Sequence, residues 1–332
     1  MEQILDPSYG HGHRAFLQAL MARGSLTYED ARPVLAAIWT AGETDGTEHD
    51  PDSVTENDFG EYMDIVRQAA SLFDYDIRTT VHQRTKERIY ALVNTTSDPQ
   101  TQLATTYSPD ELSFIKRLFD AMFETFNSPR MEVMALTQMQ AMKLARPNRR
   151  QSYMDLEEGT QGAIDRGLKH SEVEDVLASL INGGWLERSR GEKFYSLTPR
   201  GLLELRSWLM ETYNDPDAGP DEWQRIKLCA ACKDLITYGL RCADPNCNFR
   251  LHDICEDAFW RVRGDKRCPK CSKEWNADHY VGERAVTQTE AFQKGRRRTT
   301  GNGRRQTTLA DEVLQQHAEQ EGPEEEDVED ED

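Results

Sequence analysis

All seven cysteines of this 332-residue chain lie between Cys229 and Cys271, and one histidine lies among them. The eight residues follow one another as Cys229-x2-Cys232-x9-Cys242-x4-Cys247-x4-His252-x2-Cys255-x12-Cys268-x2-Cys271. Zinc in proteins prefers four thiolate or imidazole ligands in a tetrahedron, and two ligands two residues apart can reach one ion from a single turn. Eight such ligands therefore predict two zinc ions.

The order of the ligands allows two pairings. Successive pairs can each close on their neighbour, or alternate pairs can share a metal ion. We favour the alternate pairing, because a region of this size has little apolar core and interleaved sites would tie its two halves together. Site one would then consist of Cys229, Cys232, His252 and Cys255, and site two of Cys242, Cys247, Cys268 and Cys271.

Other roles for clustered cysteines fit this sequence less well. A disulfide framework needs an oxidising compartment, but the first residues show no positively charged stretch followed by an apolar one, so we expect no secretory signal. Seven cysteines would also leave one unpaired, and buried free thiols would be scattered along the chain. A catalytic zinc site keeps one position open for water. Since protein ligands fill every position here, we expect structural zinc.

The charge of the chain is concentrated at its C-terminal end. The net charge of the chain is −19. Nine acidic groups lie in residues 321–332, whereas Lys294–Arg305 carries six basic groups and no acid. These blocks predict a disordered tail over residues 286–332, with a short helix possible at Leu309–His317. The arginine clusters Arg296–Arg298 and Arg304–Arg305 are typical of a nuclear import signal, of a nucleic-acid contact or of a solvated tail. No apolar run is long enough for a membrane span.

The N-terminal region predicts a winged helix. Apolar residues spaced by three and four indicate three helices, of which the second is capped by Thr27 and the third begins near Thr55. Two β-rich runs follow, Tyr75–Val81 and Arg88–Val93. Three helices and then a hairpin are the layout of a winged helix, which we place at residues 11–107.

The same layout returns in residues 108–215, which we interpret as a second winged helix with connecting helices. The capping box Ser108–Glu111 begins one helix, and a methionine-rich helix is expected at Met131–Leu144. A helix over Ser171–Leu180, a hairpin and a further helix after Thr198 complete the pattern. The repeat concerns architecture and not residue identity.

The charges of the winged helices favour binding to protein. The helix before the second wing carries Glu172, Glu174 and Asp175 without a basic residue, and such a helix repels phosphate. Only the first wing is cationic; its basic residues and histidine are Arg78, His82, Arg84, Lys86 and Arg88. A weak DNA contact through the first wing or the basic tail therefore stays open.

The zinc module, residues 224–278, has the ligand order of RING variants and PHD fingers. A PHD finger usually has an aromatic residue two positions before the seventh ligand, where this chain has Lys266, whereas the pattern Cys-Pro-x-Cys at Cys268–Cys271 is common in RING domains. Active RING domains usually carry a bulky aliphatic residue before the second ligand and often a cation after the last, but Ala231 and Ser272 stand there. The residues alone leave open a ligase module or a zinc-stapled interaction module.

Over residues 11–275 the chain resembles the family of non-structural maintenance of chromosomes element 1, the RING-like subunit of the Smc-five/six complex. The eight zinc ligands carry the resemblance together with four segments, His13–Gly24, Ser171–Leu177, Gly184–Leu186 and Tyr195–Leu205. The resemblance implies a mainly α fold with small β wings, in which tandem winged-helix domains are followed by a cross-braced two-zinc RING-like domain; the charged tail, which we expect to be disordered, lies outside the resemblance. It also implies a MAGE-like winged-helix partner, a kleisin-type partner, and a nuclear role in DNA repair and recombination.

The resemblance further implies RING-type ubiquitin transferase activity that depends on the MAGE-like partner. Such an enzyme positions a ubiquitin-conjugating enzyme that is charged with ubiquitin as a thioester, and it performs no covalent step itself. We expect Ala231, Trp260 and Pro269 to line the docking surface for the conjugating enzyme. Two alternatives are a non-catalytic zinc-stapled adaptor in the same complex and a winged-helix chromatin binder with a PHD-like reader.

Overall fold

The computed structural model describes residues 7–95, 103, 105–147, 165–189, 194–219, 222–298, 309–314 and 316. Contacts divide the chain into two compact units. The first comprises residues 1–112, 174–187 and 197–212, and the second comprises residues 113–173, 188–196 and 213–332. Among the described helices none combines the length and apolar character that crossing a bilayer requires.

The first unit begins with the predicted winged helix. Its elements are α1 (His11–Arg23), β1 (Ser25–Thr27), α2 (Tyr28–Gly42), a 3-10 turn (Pro51–Ser53), α3 (Glu56–Ser71), β2 (Tyr75–Val81) and β3 (Arg88–Asn94). The strands form an antiparallel sheet of order β1-β3-β2, in which Ala91 pairs with Ser25 on one side and with Arg78 on the other. The prediction of three helices followed by a hairpin is confirmed.

Reciprocal caps set where α2 and α3 begin. The Asp30 amide donates to Thr27 Oγ1 at 3.1 Å, and the Thr27 amide donates to the Asp30 carboxylate at 3.0 Å. Thr55 and Asp58 repeat this arrangement at 3.2 and 2.9 Å. Each cap satisfies helix amides that would otherwise lack partners. The apolar faces of the three helices then meet the sheet in one core, which includes Phe16, Leu20, Leu35, Phe59, Val66 and Ile77.

The second winged-helix pattern is also present, and its elements contribute to both units. They are α4 (Pro109–Asp120), a π-helical turn (Ala121–Thr125), β4 (Leu136–Thr137), α5 (Gln138–Lys143), α6 (His170–Asn182), β5 (Leu186–Arg188), β6 (Phe194–Leu197), α7 (Pro199–Glu204) and α8 (Arg206–Tyr213). The strands form a sheet of order β4-β6-β5. The bounds that we assigned to the three domains stay predictions.

The predicted helix over Met131–Leu144 is wrong in its first half. Residues 131–136 are not helical and all are buried, and Met134 has a positive φ of 44° that no regular helix or strand contains. Helix α5 begins only after Thr137, whose Oγ1 accepts from the Gln140 amide at 3.2 Å while the Thr137 amide donates to Gln140 Oε1 at 2.8 Å. This capping box interrupts the apolar run and starts the helix late.

The zinc module in the second unit is built on a small sheet and one helix. Its elements are β7 (Gly239–Arg241), β8 (Arg250–Leu251), α9 (Asp253–Arg263) and β9 (Tyr280–Val281). The strands are antiparallel in the order β8-β7-β9, with Leu240 opposite Leu251 on one side and Tyr280 on the other.

The expected disorder of residues 286–332 is wrong for part of that range. Helices α10 (Arg284–Thr287) and α11 (Glu290–Arg298) occupy its beginning. Residues 309–314 are helical, as the alternative of a short helix at Leu309–His317 predicted. Phe292, Ala310 and Leu314 are buried in a common cluster with Phe194. The few apolar residues of this charged stretch thus find a core to pack against.

The remaining tail predictions fall on parts of the chain that the structure does not describe. The acidic block 321–332 and the pair Arg304–Arg305 lie outside the described residues. The same holds for the side chains of Arg296–Arg298.

Candidate metal centre

Two turns of the same construction carry the Cys-x2-Cys pairs. In the first, the Cys229 amide donates to the Asp234 carbonyl at 2.8 Å and the Lys233 amide to the Cys229 carbonyl at 3.0 Å. In the second, the Cys268 amide donates to the Lys273 carbonyl at 2.8 Å and the Ser272 amide to the Cys268 carbonyl at 2.9 Å. We call these turns the first and second knuckle. Each knuckle presents two sulfur atoms to one side.

Both knuckles close through a residue with left-handed backbone geometry. Lys233 has φ = 66° and Ser272 has φ = 60°. Residues other than glycine, asparagine and aspartate rarely adopt this backbone conformation, because it is strained for them. The same strained position occurs directly after the second cysteine of each knuckle. Metal binding by the two sulfur atoms would offset this strain.

Site one forms from the first knuckle and the start of α9. His252 is the N-cap residue of α9, so Cys255 follows it by about one helical turn on the same side. His252 Nδ1 lies 3.3 Å from Cys232 Sγ and 3.9 Å from Cys255 Sγ. With Cys229 Sγ, these four atoms all lie within 4.8 Å of one another.

Site two forms from the Cys242–Cys247 loop and the second knuckle. Cys242 Sγ lies 3.3 Å from Cys271 Sγ, and Cys247 Sγ lies 3.6 Å from Cys268 Sγ. Zinc with four sulfur ligands at about 2.3 Å requires sulfur atoms about 3.8 Å apart. The residues therefore fit one zinc ion at each site, and the predicted alternate pairing is confirmed.

Hydrogen bonds around His252 determine which of its nitrogen atoms faces the metal. Nε2 lies 3.2 Å from the Leu235 carbonyl and donates its hydrogen there. Nδ1 is then the unprotonated nitrogen that points to the thiols, which is how outer-shell partners orient a histidine ligand. The His252 amide also lies 3.5 Å from Cys229 Sγ.

Within each site, ionisation of one thiol disfavours ionisation of its neighbours. In site one a hydrogen bond from Cys232 lowers the pKa of the Cys229 thiol to about 3, while the pKa of Cys232 is raised by the same contact. Burial raises the pKa of Cys255 and of Cys247 to about 11. Neighbouring thiolates cannot all ionise without a cation between them. A divalent ion such as zinc removes this competition.

An aromatic core supports both sites. Phe249, Trp260 and Trp275 pack around one another: the Phe249 ring centroid lies 6.0 Å from that of Trp260 and 5.4 Å from that of Trp275, and the two tryptophan centroids are 5.4 Å apart. Trp260 is only 4% exposed, so the expectation that it lines a docking surface is wrong. Its indole is required to fill a module that has little other apolar mass. Ala231 in the first knuckle and Pro269 in the second are exposed.

A buried carboxylate that the sequence had placed on a helix packs against the zinc module. Glu132 is 1% exposed, although the predicted helix would have left it on a polar face. Burial alone would raise its pKa, but Arg250 and Lys227 outweigh burial and lower the pKa of Glu132 to about 2. The capping pair Thr137 and Gln140 was the available signal, because it ends the non-helical segment that holds Glu132.

The first wing is less available to DNA than its composition indicates. His82 Nε2 lies 2.9 Å from a carboxylate oxygen of Glu187, and Arg84 forms an ion pair with the same carboxylate. Arg78 Nε lies 3.6 Å from Asp76 Oδ2. Lys86 and Arg88 are exposed, and so is Arg78 beside Asp76.

Comparison with known proteins agrees with this architecture. Residues 13–205 match the family model described as Nse1 non-SMC component of SMC5-6 complex, and residues 229–271 match a RING-like domain model. The human protein Non-structural maintenance of chromosomes element 1 homolog is 23% identical over 263 residues, which are 79% of this chain and 83% of the relative.

A fission yeast relative and a solved structure extend the comparison. Non-structural maintenance of chromosomes element 1 of Schizosaccharomyces pombe is 22% identical over 283 residues, covering 85% of this chain and 99% of the relative. A chain of a solved Nse1-Nse3-Nse4 complex superposes with a TM-score of 0.59 at 21% identity, covering 82% of this chain and 99% of that chain. At this identity the structural likeness concerns the fold.

Proposed function

The chain belongs to the family described as the Nse1 non-SMC component of the SMC5-6 complex, and from this premise we propose that it is a ubiquitin ligase subunit of such a complex. The subunit docks on a MAGE-like winged-helix protein and on a kleisin-type protein, and its zinc module positions a charged ubiquitin-conjugating enzyme. One observation carries the proposal. The family match over residues 13–205 and a cross-braced RING-like module occur in a single chain.

The solved Nse1-Nse3-Nse4 complex supports the partners in this proposal. The acidic helix α6, with Glu172 and Glu174, is suited to a protein partner and not to phosphate. We further propose that the subunit acts in the nucleus, in DNA repair and recombination. A pull-down from nuclear extract with the full chain tests this assignment, since recovery without the MAGE-like and kleisin-type proteins would contradict it.

The proposed ligase activity is positioning. All seven cysteines belong to the two metal sites, so none is available to carry a ubiquitin thioester. The zinc ions, when bound, hold the two knuckles in place and take no part in bond making. Ala231 and Pro269 lie exposed on separate knuckles, and we propose that both contact the conjugating enzyme. Holding the thioester near an acceptor amine can lower the barrier substantially without a catalytic side chain.

A ubiquitin discharge assay tests the ligase proposal. The full chain is combined with a panel of charged conjugating enzymes, with and without the MAGE-like partner, and loss of the thioester is followed over time. We expect discharge stimulated by the partner, and a reduction of about 10-fold or more for Ala231→Asp, because a charge within a docking surface is desolvated without a partner.

Ala291→Asp is the matched control, since Ala291 is an exposed alanine of the same unit on α11. Full discharge activity is expected for this variant. Equal activity of the Ala231→Asp and Ala291→Asp proteins would contradict the proposed docking surface.

One observation favours the second candidate, a non-catalytic adaptor. Ser272 follows the last zinc ligand and is exposed where an active RING domain often presents a cation. The absence of partner-stimulated discharge with every conjugating enzyme, together with an intact complex, would support the adaptor.

A chromatin-binding role is the third candidate and makes a separate prediction. DNA binding through the first wing would depend on Lys86 and Arg88, because Glu187 engages Arg84. Salt-dependent binding that is lost in Lys86→Glu/Arg88→Glu would favour this role.

A further inference from the structure

A buried cluster of charges connects Glu132 to the zinc module. Glu132 Oε2 accepts from Arg250 Nε at 2.8 Å, and its Oε1 also accepts from Arg250 Nη2. Oε1 accepts from Lys227 Nζ at 3.0 Å and from Trp223 Nε1 at 3.2 Å. Arg241 Nη1 lies 4.0 Å from the same oxygen. The Glu132 carboxylate therefore contacts four residues that flank the zinc ligands.

These partners are distributed over both zinc sites. Lys227 lies two residues before Cys229 of site one, and Arg241 directly precedes Cys242 of site two. Arg250 Nη1 donates to the Cys247 carbonyl at 2.6 Å and to the Phe249 carbonyl at 2.8 Å. The Arg250 carbonyl accepts from the Ala230 amide in the first knuckle at 2.9 Å. Arg250 therefore touches the backbone of both sites while Glu132 holds its side chain.

Without the metal sites, this buried cluster carries more positive than negative charge. Lys227, Arg241 and Arg250 are 5, 6 and 0% exposed and face a single carboxylate, and buried charges are costly unless opposite charges surround them. A zinc ion with four thiolates has a net charge of about −2, and one with three thiolates and a histidine about −1. The three buried cations exceed the one carboxylate by two charges, and this surplus is opposite in sign to the combined charge of about −3 on the two zinc sites. Glu132 fixes the positions of those cations.

We propose that Glu132 is a positioning residue for both zinc sites. Through Arg250 and Lys227 it orients the cationic groups that stabilise the zinc-bound thiolates. Zinc retention therefore depends on a carboxylate that lies about a hundred residues before the module, in the non-helical segment that precedes β4. The inference rests on the two zinc sites and is independent of ligase activity.

Zinc release from the full chain tests the proposal. The zinc-loaded protein is mixed with an excess of a coloured zinc chelator without denaturant, and the rate of release is compared between wild type and Glu132→Gln. Loss of an outer-shell partner typically costs 10–100-fold in metal affinity, so we expect release to be accelerated by about 10-fold or more. Unchanged release by a folded Glu132→Gln protein would overturn the proposal.

Glu187→Gln is the matched control. Glu187 is also a largely buried carboxylate paired with an arginine and a histidine, but its partners Arg84 and His82 belong to the first wing. Its zinc release should equal that of wild type. Acceleration in both variants would indicate a general loss of stability and would contradict a specific role of Glu132.

A double variant separates positioning through Lys227 from simple packing. Lys227→Met removes one of the cations that Glu132 orients and keeps an apolar chain of similar length. If Lys227 acts through Glu132, adding Lys227→Met to Glu132→Gln should accelerate zinc release little beyond the Glu132→Gln rate, whereas two independent packing defects would multiply their effects. A multiplied release rate in the double variant would overturn positioning through Glu132.

A second variant tests the proposal if Glu132→Gln does not fold. Arg250→Lys retains the positive charge and removes the paired contact with Glu132, and it should also accelerate zinc release. Wild-type release by a folded Arg250→Lys protein would count against the proposal.

Discussion

The first winged helix and the zinc module reach stability by different routes. The winged-helix core contains thirteen buried apolar residues, with Phe16 and Phe59 in edge-to-face contact at 6.3 Å. The zinc-module core contains nine buried residues, and four of these are metal ligands. Burial of apolar surface can sustain the first region, whereas the second depends on its ions. Removing metal and removing apolar volume should therefore damage different parts of the molecule.

Removal of zinc should produce the largest effect. Structural zinc contributes about 10–16 kcal/mol of apparent binding energy in small zinc domains. Chelation, or Cys242→Ser, should unfold the module around Trp260 and Trp275 and leave helices α1 to α3 protected in hydrogen exchange. Ser272→Ala should behave as wild type, because Ser272 is not a ligand. Persistent protection of the module after complete zinc removal would contradict this contrast.

Phe16→Ala should produce the opposite pattern. The ring is 0% exposed, and truncation of a buried phenylalanine costs about 3–5 kcal/mol. Chemical denaturation should show that loss in the transition of the winged helix, while two zinc ions stay bound. Phe73→Ala is the control, because Phe73 is 72% exposed and its truncation should change stability little. Release of zinc by Phe16→Ala would show that the two regions are less separate than their cores indicate.

Acidification should weaken zinc binding without weakening the winged helix. Because burial raises the pKa of Cys247 and Cys255 to about 11, these thiols are protonated at neutral pH until a metal displaces their protons. The apparent zinc affinity should therefore fall as pH falls, by about 10-fold or more per unit between pH 8 and 6. Competition with a chelator of known affinity measures this dependence. A pH-independent affinity would contradict binding to thiols that must lose protons.

Thr55→Ala should have the smallest effect and should be confined to the winged helix. The substitution removes the oxygen that accepts from the Asp58 amide and should cost about 1 kcal/mol in unfolding free energy. Thr55→Ser retains a hydroxyl oxygen and should recover most of the loss. Equal stability of the alanine and serine variants would show that the cap contributes nothing measurable, and zinc content should be unchanged in both.

Local patterns in the sequence predicted most of the fold and nearly all of the metal site. The caps at Thr27 and Ser108 predicted correct helix starts, because a cap and its partner lie three residues apart. Apolar spacing placed the start of the third helix correctly near Thr55. The same signal at Thr137 was overlooked, and the helix was placed too early. The prediction for Trp260 failed for another reason, since helical spacing does not reveal which aromatic residue fills the core.

The sequence by itself determined the eight zinc ligands, because the geometry of zinc demands particular residue types at short spacings. It did not determine the surroundings of those ligands. Glu132 meets Arg250 across 118 residues and Lys227 across 95, and Leu314 packs with Phe194 although a charged stretch surrounds it. Such contacts depend on the chain returning to one place in space, and only the tertiary structure decides which distant charges and apolar groups then become buried together.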